Sequence, residues 1–271
     1  MAQIGFIGMG NMGYAMLRGS LKNFDKSEII FADVNEERVK KVYNETGIRF
    51  VESNAECANG CKYLVLAVKP QYYPEVLKNI ENIITREHVI ISIAPGITIE
   101  DLKGHLGFDK KIVRAMPNTP ALVGEGMSGI CFDQKAFTME ELSVIEKIFS
   151  GFGKVHAVEE KLMDAVVCAS GSSPAYVYMF IEALADSVVK YGMPRNMAYQ
   201  FVAQTVIGSA KMVLKSGKHP GELKDMVCSP AGTTIAGVAA LEEYGFRNAV
   251  IKATDACYEK CESMKKKSEA K

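Results

Sequence analysis

Ile4-Gly5-Phe6-Ile7-Gly8-Met9-Gly10-Asn11-Met12-Gly13 is the stretch that decides the fold of this chain. A short strand-like run leads into Gly-x-Gly-x-x-Gly, and helical periodicity follows over Asn11 to Leu21. Each glycine has a separate task. Gly8 permits the tight turn, Gly10 lets the backbone approach a pyrophosphate, and Gly13 allows the helix to pack closely on the strand. Asn11 and Met12 stand at the helix start, where free N–H groups and the helix dipole favour an anion.

The pattern around this stretch is that of a dinucleotide-binding domain. Ile29 to Phe31, Leu64 to Val68, Val89 to Ile93 and Ile112 to Arg114 read as further strands, with helical patterns over Asn35 to Thr46 and Pro74 to Ile84. Near-continuous apolar strands alternating with amphipathic helices predict a parallel sheet covered on both faces, a doubly wound α/β fold of the Rossmann type. Gly129 to Phe132 and Lys154 to Val158 flank a helix at Met139 to Phe149 and extend the sheet. Beyond Glu159 the strand signal stops and only helical segments follow. The expected domains are therefore 1–158, α/β, and 159–271, all-α. In the second, Tyr176 to Tyr191 is apolar on nearly every side except for a line of Glu182, Asp186 and Lys190. So small a domain cannot bury such a helix alone, which predicts that another subunit covers part of it. Lys265-Lys266-Lys267 reads as a solvated helix end.

Composition narrows the function classes. The 271 residues include 32 basic and 32 acidic side chains, and 48% are hydrophobic, which excludes a disordered chain and lacks the basic surplus of a nucleic-acid binder. No apolar run approaches the roughly 20 residues of a membrane helix, and the N-terminus lacks the marks of a secretion signal. The expected location is the cytoplasm. Seven cysteines, an odd number in a chain of this size, predict reduced thiols. Cys57/Cys61 and Cys257/Cys261 have helical spacing but no accompanying Cys-x-x-Cys or His-x-x-x-His, so they are read as buried or half-buried helix thiols and no metal is expected. His88, His105, His156 and His219 form no triad with a nearby Ser or Cys and are read as structural.

Ligands of such sheets lie beyond the carboxyl ends of the strands. Asp33 stands 20 residues after Gly13, where a carboxylate would bind the ribose hydroxyls of NAD and repel the 2′-phosphate of NADP. Arg38, Lys40 and Lys41 follow closely and could offset that phosphate, so these residues leave the cofactor open. Ala67-Val68-Lys69-Pro70, Ala94 and the proline-fixed loop around Asn118 leave other strands at the same end. In the helical part, Ser170-Gly171-Ser172-Ser173-Pro174 and Val227-Cys228-Ser229-Pro230-Ala231-Gly232-Thr233-Thr234 each precede a helix. They read either as caps or as receptors for a small carboxylate.

Over nearly its whole length the chain resembles the pyrroline-5-carboxylate reductases. The resemblance rests on Gly5-Phe6-Ile7-Gly8-x-Gly10, Leu66 to Pro70, Arg114 to Pro120, Gly171 to Tyr176 and, most specifically, His219-Pro220-Gly221 through Leu223 to Thr234. It implies reduction of 1-pyrroline-5-carboxylate to L-proline by hydride from NADP(H), with NAD(H) as the alternative. It implies substrate contacts at Val227, Ser229, Thr233 and Thr234, with the Thr234 hydroxyl on the ring nitrogen as the catalytic contact. Gly8, Gly10, Asn11, Asn54, Ala67, Lys69 and Ala94 match cofactor contacts, and Met12, Gly13, Asp33, Val68, Pro70 and Asn118 join them from the loop reading above. The resemblance also implies a homodimer through the C-terminal helices, assembled further into a ring of dimers, a decamer. The family usually has Gly where this chain has Ala231, a difference of one methyl group that puts little in doubt.

The implied chemistry fits the absence of an obvious acid, nucleophile or metal. A protonated cyclic imine already accepts hydride, so positioning carries most of the catalysis. A β-hydroxyacid dehydrogenase would need a Lys on the helix after Ser170 to Ser173, where none occurs before Lys190. A non-catalytic dinucleotide sensor would have no use for the Ser229 to Thr234 segment.

Overall fold

The computed structural model describes residues 2–269, with side chains described through residue 264. Its strands are β1 (Ala2–Ile7), β2 (Ile29–Ala32), β3 (Arg49–Phe50), β4 (Cys61–Leu66), β5 (Val89–Ser92), β6 (Lys111–Met116), β7 (Gly126–Cys131) and β8 (Gly153–Ala157). Its α-helices begin with α1 (Asn11–Ser20), α2 (Glu36–Thr46), α3 (Asn54–Asn59), α4 (Tyr73–Ile80), α5 (Ile99–Leu106), α6 (Met139–Ser150) and α7 (Met163–Val166). They end with α8 (Ser173–Lys190), α9 (Arg195–Ser216), α10 (Pro220–Val227), α11 (Thr233–Glu243) and α12 (Phe246–Glu269). The side chains of the Lys265-Lys266-Lys267 run lie outside the described residues.

One eight-stranded sheet takes the order β3-β2-β1-β4-β5-β6-β7-β8, parallel throughout except for the antiparallel β6/β7 pair. The order reverses between β1 and β4, so the glycine-rich loop leaves the sheet at its switch point. Alternate residues of each strand face opposite layers. Ile4, Phe6, Phe31, Val65 and Ile91 join a core with residues of α1 and α6. Ile7, Ile30, Leu64, Leu66 and Ile90 join a second core with residues of α3, α4 and α5. The strand pair at Gly129 and Lys154 does extend the sheet. The two-residue β3, and helices α3 and α5, are elements that the periodicity did not signal, each being too short to show a period.

The chain divides into two compact units, the first running to Ser172 and taking back α12 from Cys257, the second spanning Ser173–Ala256. The break falls after Ser172, later than the expected 158/159, because the connecting segment is anchored to the sheet unit by charge and packing. Arg114, buried in β6, donates to Glu160 at 3.0 Å and lies 4.0 Å from Asp164. Glu160 also accepts the Ile99 N–H at 2.9 Å. Met163 is fully buried against Met116 and Cys131. A helical periodicity marks where strands stop, and it does not mark which unit the next turns pack on.

In the second unit α8 packs on α9 through Ala185, Ala198 and Val202. Ile181, Val188 and Val189 pack half-buried against this cluster, while other apolar residues of α8 are open within one chain, with Met179 at 68% exposure and Tyr178 at 59%. No helix among the described residues is long and apolar enough to cross a membrane. The cysteines of the first motif pair occupy different elements, Cys57 in α3 and Cys61 opening β4, not one helix as their spacing suggested. Burial pushes the Cys57 thiol well above its usual range and the Cys61 thiol up to about 12.

The far end of the sheet is held by a buried carboxylate. Glu141 of α6 is 2% exposed and accepts from Lys111 at 2.8 Å and Lys62 at 3.0 Å, while Thr138 and Glu141 close a capping box. Burial raises the Glu141 pKa, but the two lysines and the Thr138 N–H outweigh it and hold the carboxyl at about 2. A depressed carboxyl pKa stabilises the fold above the ordinary carboxylate range, and that contribution is lost as pH falls toward about 2. Glu141→Gln is expected to lower unfolding free energy by about 2 kcal/mol near neutral pH, since it takes the charged partner from two partly exposed ammonium groups around a buried side chain. The deficit should shrink in denaturation curves taken at successively lower pH below about 4. A deficit that stays constant to pH 2 would contradict the ion-pair account.

Candidate active site

Gly8 and Gly13 take the turn and the close packing expected of them. Gly8 has φ +96°, and a Cβ there would lie 2.8 Å from Val68 Cγ1 and 2.9 Å from the Ala67 carbonyl. A Cβ on Gly13 would lie 2.1 Å from the Gly8 oxygen and 3.1 Å from Ala67 Cβ. The first turn of α1 therefore sits directly on the ends of β1 and β4. Gly10 differs, because a Cβ there would meet nothing within 4 Å. It is the N-cap of α1 and supplies no side-chain acceptor, so the first N–H groups of the helix stay available. An open glycine face before an uncapped ten-residue helix fits a pyrophosphate.

The other groups predicted for this end occupy distinct positions. Asp33 follows β2, and its carboxylate accepts the Met9 N–H with one oxygen and the Asn35 N–H, at 2.8 Å, with the other. Lys40 and Lys41 lie within 4 Å of Glu36 and Glu45, each one turn away on α2. Ala67 and Val68 are half-buried beside Gly8, Lys69 is exposed, and Pro70 starts a 3-10 turn. Asn54 opens α3, which Ser53 caps, and Ala94 is buried past β5.

Asn118 does structural work. Its Nδ2 donates to the Ser170 carbonyl at 3.0 Å and its Oδ1 accepts the Met127 N–H at 2.8 Å. Pro174 lacks the N–H that an α-helical turn would return to Ser170, and the Asn118 amide donates to that carbonyl. Ser170 to Ser172 accordingly lie in a π-helical segment, Val167–Ser172, that runs straight into α8. They do not cap a new helix, as the small polar cluster suggested, since the chain is already helical there. Two residues of this end escaped the sequence reading. The buried Tyr73 hydroxyl donates to the Leu66 carbonyl and shares a hydrogen bond with Ser92 Oγ, both at 2.9 Å, tying the ends of β4 and β5. A lone serine in the apolar run Val89 to Ile93 was the available signal for a buried partner.

The second predicted site is a turn ahead of a helix. The Ser229 carbonyl accepts the Gly232 N–H at 3.1 Å, and Pro230 and Ala231 occupy the turn between them. Ala231 has φ +55°, the one non-glycine residue with positive φ among those described. A turn with proline second and positive φ third is of type II, whose third position favours glycine. The alanine therefore costs about 1 kcal/mol of left-handed strain, more than the single methyl suggested in the sequence. A Cβ on Gly232 would fall 2.3 Å from Ser229 Oγ, so the serine folds over the start of α11. Gly232 caps α11 without a side-chain bond, leaving the N–H groups and hydroxyls of Thr233 and Thr234 at that end. Val227 ends α10 and is 66% exposed. His219 caps α10 by accepting the Gly221 N–H at 3.0 Å, a structural role as expected.

Comparison with known proteins converges on one family. Residues 160–264 match a family model described as pyrroline-5-carboxylate reductase dimerisation, and residues 3–96 match one described as NADP oxidoreductase, coenzyme F420-dependent. The chain is 47% identical over 266 residues to a pyrroline-5-carboxylate reductase of Escherichia coli, covering 97% of this chain and 98% of that protein. It is 46% identical to one from Methanosarcina acetivorans, with 93% and 96% covered. The crystal structure of a Plasmodium falciparum pyrroline carboxylate reductase with NADP bound superposes with a TM-score of 0.88 at 36% identity, covering 97% of this chain and 98% of that one.

The turn geometry makes a specific expectation. Ala231→Gly should raise thermal stability by up to about 1 kcal/mol, the relieved strain being partly offset by the greater freedom of glycine in the unfolded chain. Ala231→Val should lower it by about 1 kcal/mol or more, because a β-branched residue tolerates positive φ poorly. Equal losses in both variants would refute the left-handed account.

Proposed function

The chain belongs to the pyrroline-5-carboxylate reductases and reduces 1-pyrroline-5-carboxylate to L-proline with NAD(P)H, and we propose that the glycine loop holds the dinucleotide while the turn before α11 holds the substrate. NADP(H) is the cofactor, with NAD(H) the alternative. When bound, it supplies the hydride.

The chain's own residues then bind and orient. The N–H groups at the start of α1, around Asn11 and Met12, take the pyrophosphate over the bare face of Gly10. Asn54, Ala67, Val68, Lys69, Pro70 and Ala94 line the path of the rest of the cofactor. One observation carries the substrate end: an uncapped helix start with two consecutive threonines behind a glycine. Its backbone N–H groups receive the substrate carboxylate, with Ser229, Thr233 and the Val227 backbone bounding the ring. The protonated ring nitrogen donates to the Thr234 hydroxyl, which fixes the ring and supports its charge while the neighbouring carbon accepts hydride. No Asp, Glu, His or Lys stands between Val227 and Thr234, in keeping with a substrate that arrives already protonated.

The chain is a homo-oligomer, as its match to the dimerisation region implies. We infer a homodimer through the C-terminal helices, whose bare apolar faces on α8 call for a second copy, and a ring of dimers, a decamer, beyond it. The free thiols fit a reducing compartment, the cytoplasm. Light scattering at micromolar concentration is expected to report a dimer or a multiple of it, and a well-folded monomer would overturn this assignment.

The catalytic proposal is read by the loss of reduced-nicotinamide absorbance on adding pyrroline-5-carboxylate, in parallel with NADPH and NADH. Thr234→Ala is expected to lower kcat/KM by roughly one to two orders of magnitude, the loss of a hydrogen bond to a charged group. Unchanged kinetics in that variant would remove Thr234 from the mechanism.

A further inference from the structure

Asp33 stands where a carboxylate ordinarily selects NAD by holding the ribose hydroxyls and repelling a 2′-phosphate. Here the carboxylate is already engaged. The Met9 N–H, inside the glycine loop between Gly8 and Gly10, donates to Oδ2, and the Asn35 N–H donates to Oδ1 at 2.8 Å. The neighbouring donor, the Gly8 N–H, goes to the Ala32 carbonyl at 2.9 Å. The loop's first two N–H groups are thus held from the β2 side, one by the strand's own backbone and one by the side chain that follows it. Asn35 in turn caps α2 by accepting the Arg38 N–H at 2.9 Å, so one carboxylate joins the glycine loop to the turn that starts α2.

We propose that Asp33 is a positioning residue that latches the glycine loop for either cofactor, and that it does not discriminate against the 2′-phosphate. The argument is one of charge and geometry. A carboxylate that accepts two backbone N–H groups has part of its charge neutralised by those dipoles. Its remaining lone pairs are confined by the bonds it has made, so it offers a ribose less and repels a phosphate less than a free carboxylate would. What it secures is the Met9 peptide, and through it the orientation of Gly10, the open face on which the pyrophosphate is to rest. Choice between NADPH and NADH then falls to groups beyond Asp33, at the start of α2. The inference rests on the reading of the glycine loop as the cofactor cradle, and its test separates the two.

Two measurements decide it. In amide hydrogen exchange on the cofactor-free wild-type enzyme, the Met9 amide is expected to be protected, and Asp33→Ala should remove that protection locally while the central strands keep theirs. Fast exchange at Met9 in the wild type overturns the latch, whatever the loop binds. In steady-state kinetics Asp33→Ala is expected to raise KM for NADH and NADPH alike by about tenfold, with kcat at saturating cofactor within about twofold. The ratio of the two kcat/KM values should stay within about threefold, and Asp33→Asn, which keeps one acceptor oxygen, should recover part of the loss for both cofactors. A shift of that ratio toward NADPH by tenfold or more makes Asp33 a discriminator and overturns the proposal. Unchanged KM for both cofactors also overturns it, and if Met9 is protected in that case the failure lies in the reading of the loop as the cradle.

Discussion

The closeness of α1 to the ends of β1 and β4 is the constraint on which the rest of the first unit depends. A methyl group at Gly13 would meet the Gly8 oxygen at 2.1 Å, so the helix start can rest there only because residue 13 has no side chain. That contact aims the uncapped N-terminus of α1 outward at the sheet's switch point, and the positive φ of Gly8 turns the chain to make it possible. Around it the structure adds tethers from different elements. Asp33 holds Met9 from the β2 side, and Tyr73 joins the ends of β4 and β5. A site made of backbone N–H groups is only as accurate as the backbone, and these tethers fix the backbone of this loop.

Much of this was legible in the sequence because glycine roles and strand periodicity are local. The strand β1, the loop, α1 and the parallel arrangement of β1, β2, β4, β5 and β6 follow from residues close to each other in the chain. What was not legible depends on partners far apart. Asn118 read as a cofactor contact because it lies at the carboxyl end of a strand, yet its amide is engaged by Ser170 and Met127. Arg114 read only as the end of a strand, and nothing near it in the chain points to its partners, which lie 46 residues on at Glu160 and further at Asp164. These links carry the segment after β8 on the sheet unit, and the domain boundary moves with them.

The second unit shows the same limit from the other side. The pattern of Tyr176 to Tyr191, apolar but for the line of Glu182, Asp186 and Lys190, implied a helix with too little polar surface for a single small unit. Within one chain only Ala185 of α8 is buried. Periodicity reports how much apolar surface a helix carries and nothing about which chain covers it. A homo-oligomer resolves the mismatch without any change of local structure, since the hydrophobic effect is indifferent to chain identity.

The chemistry explains why the candidate site is built from backbone rather than from titratable side chains. A protonated imine is electrophilic before the enzyme acts, so the protein has to hold two partners in a near-attack geometry and need not generate a nucleophile. Selection then falls on backbone conformation at a few points: the turn at Gly8, the bare face of Gly10, the type II turn at Ser229 to Gly232. Ala231 is informative in this light. Left-handed strain of about 1 kcal/mol is small beside the 5–15 kcal/mol that typically holds a folded chain together. A turn that keeps its shape with the wrong residue in its third position is held from outside that residue. Pro230 restricts the position before it, the Gly232 N–H closes it, and Ser229 Oγ lies over Gly232. The turn is over-determined by its neighbours, and that is what lets it present the start of α11 in one orientation.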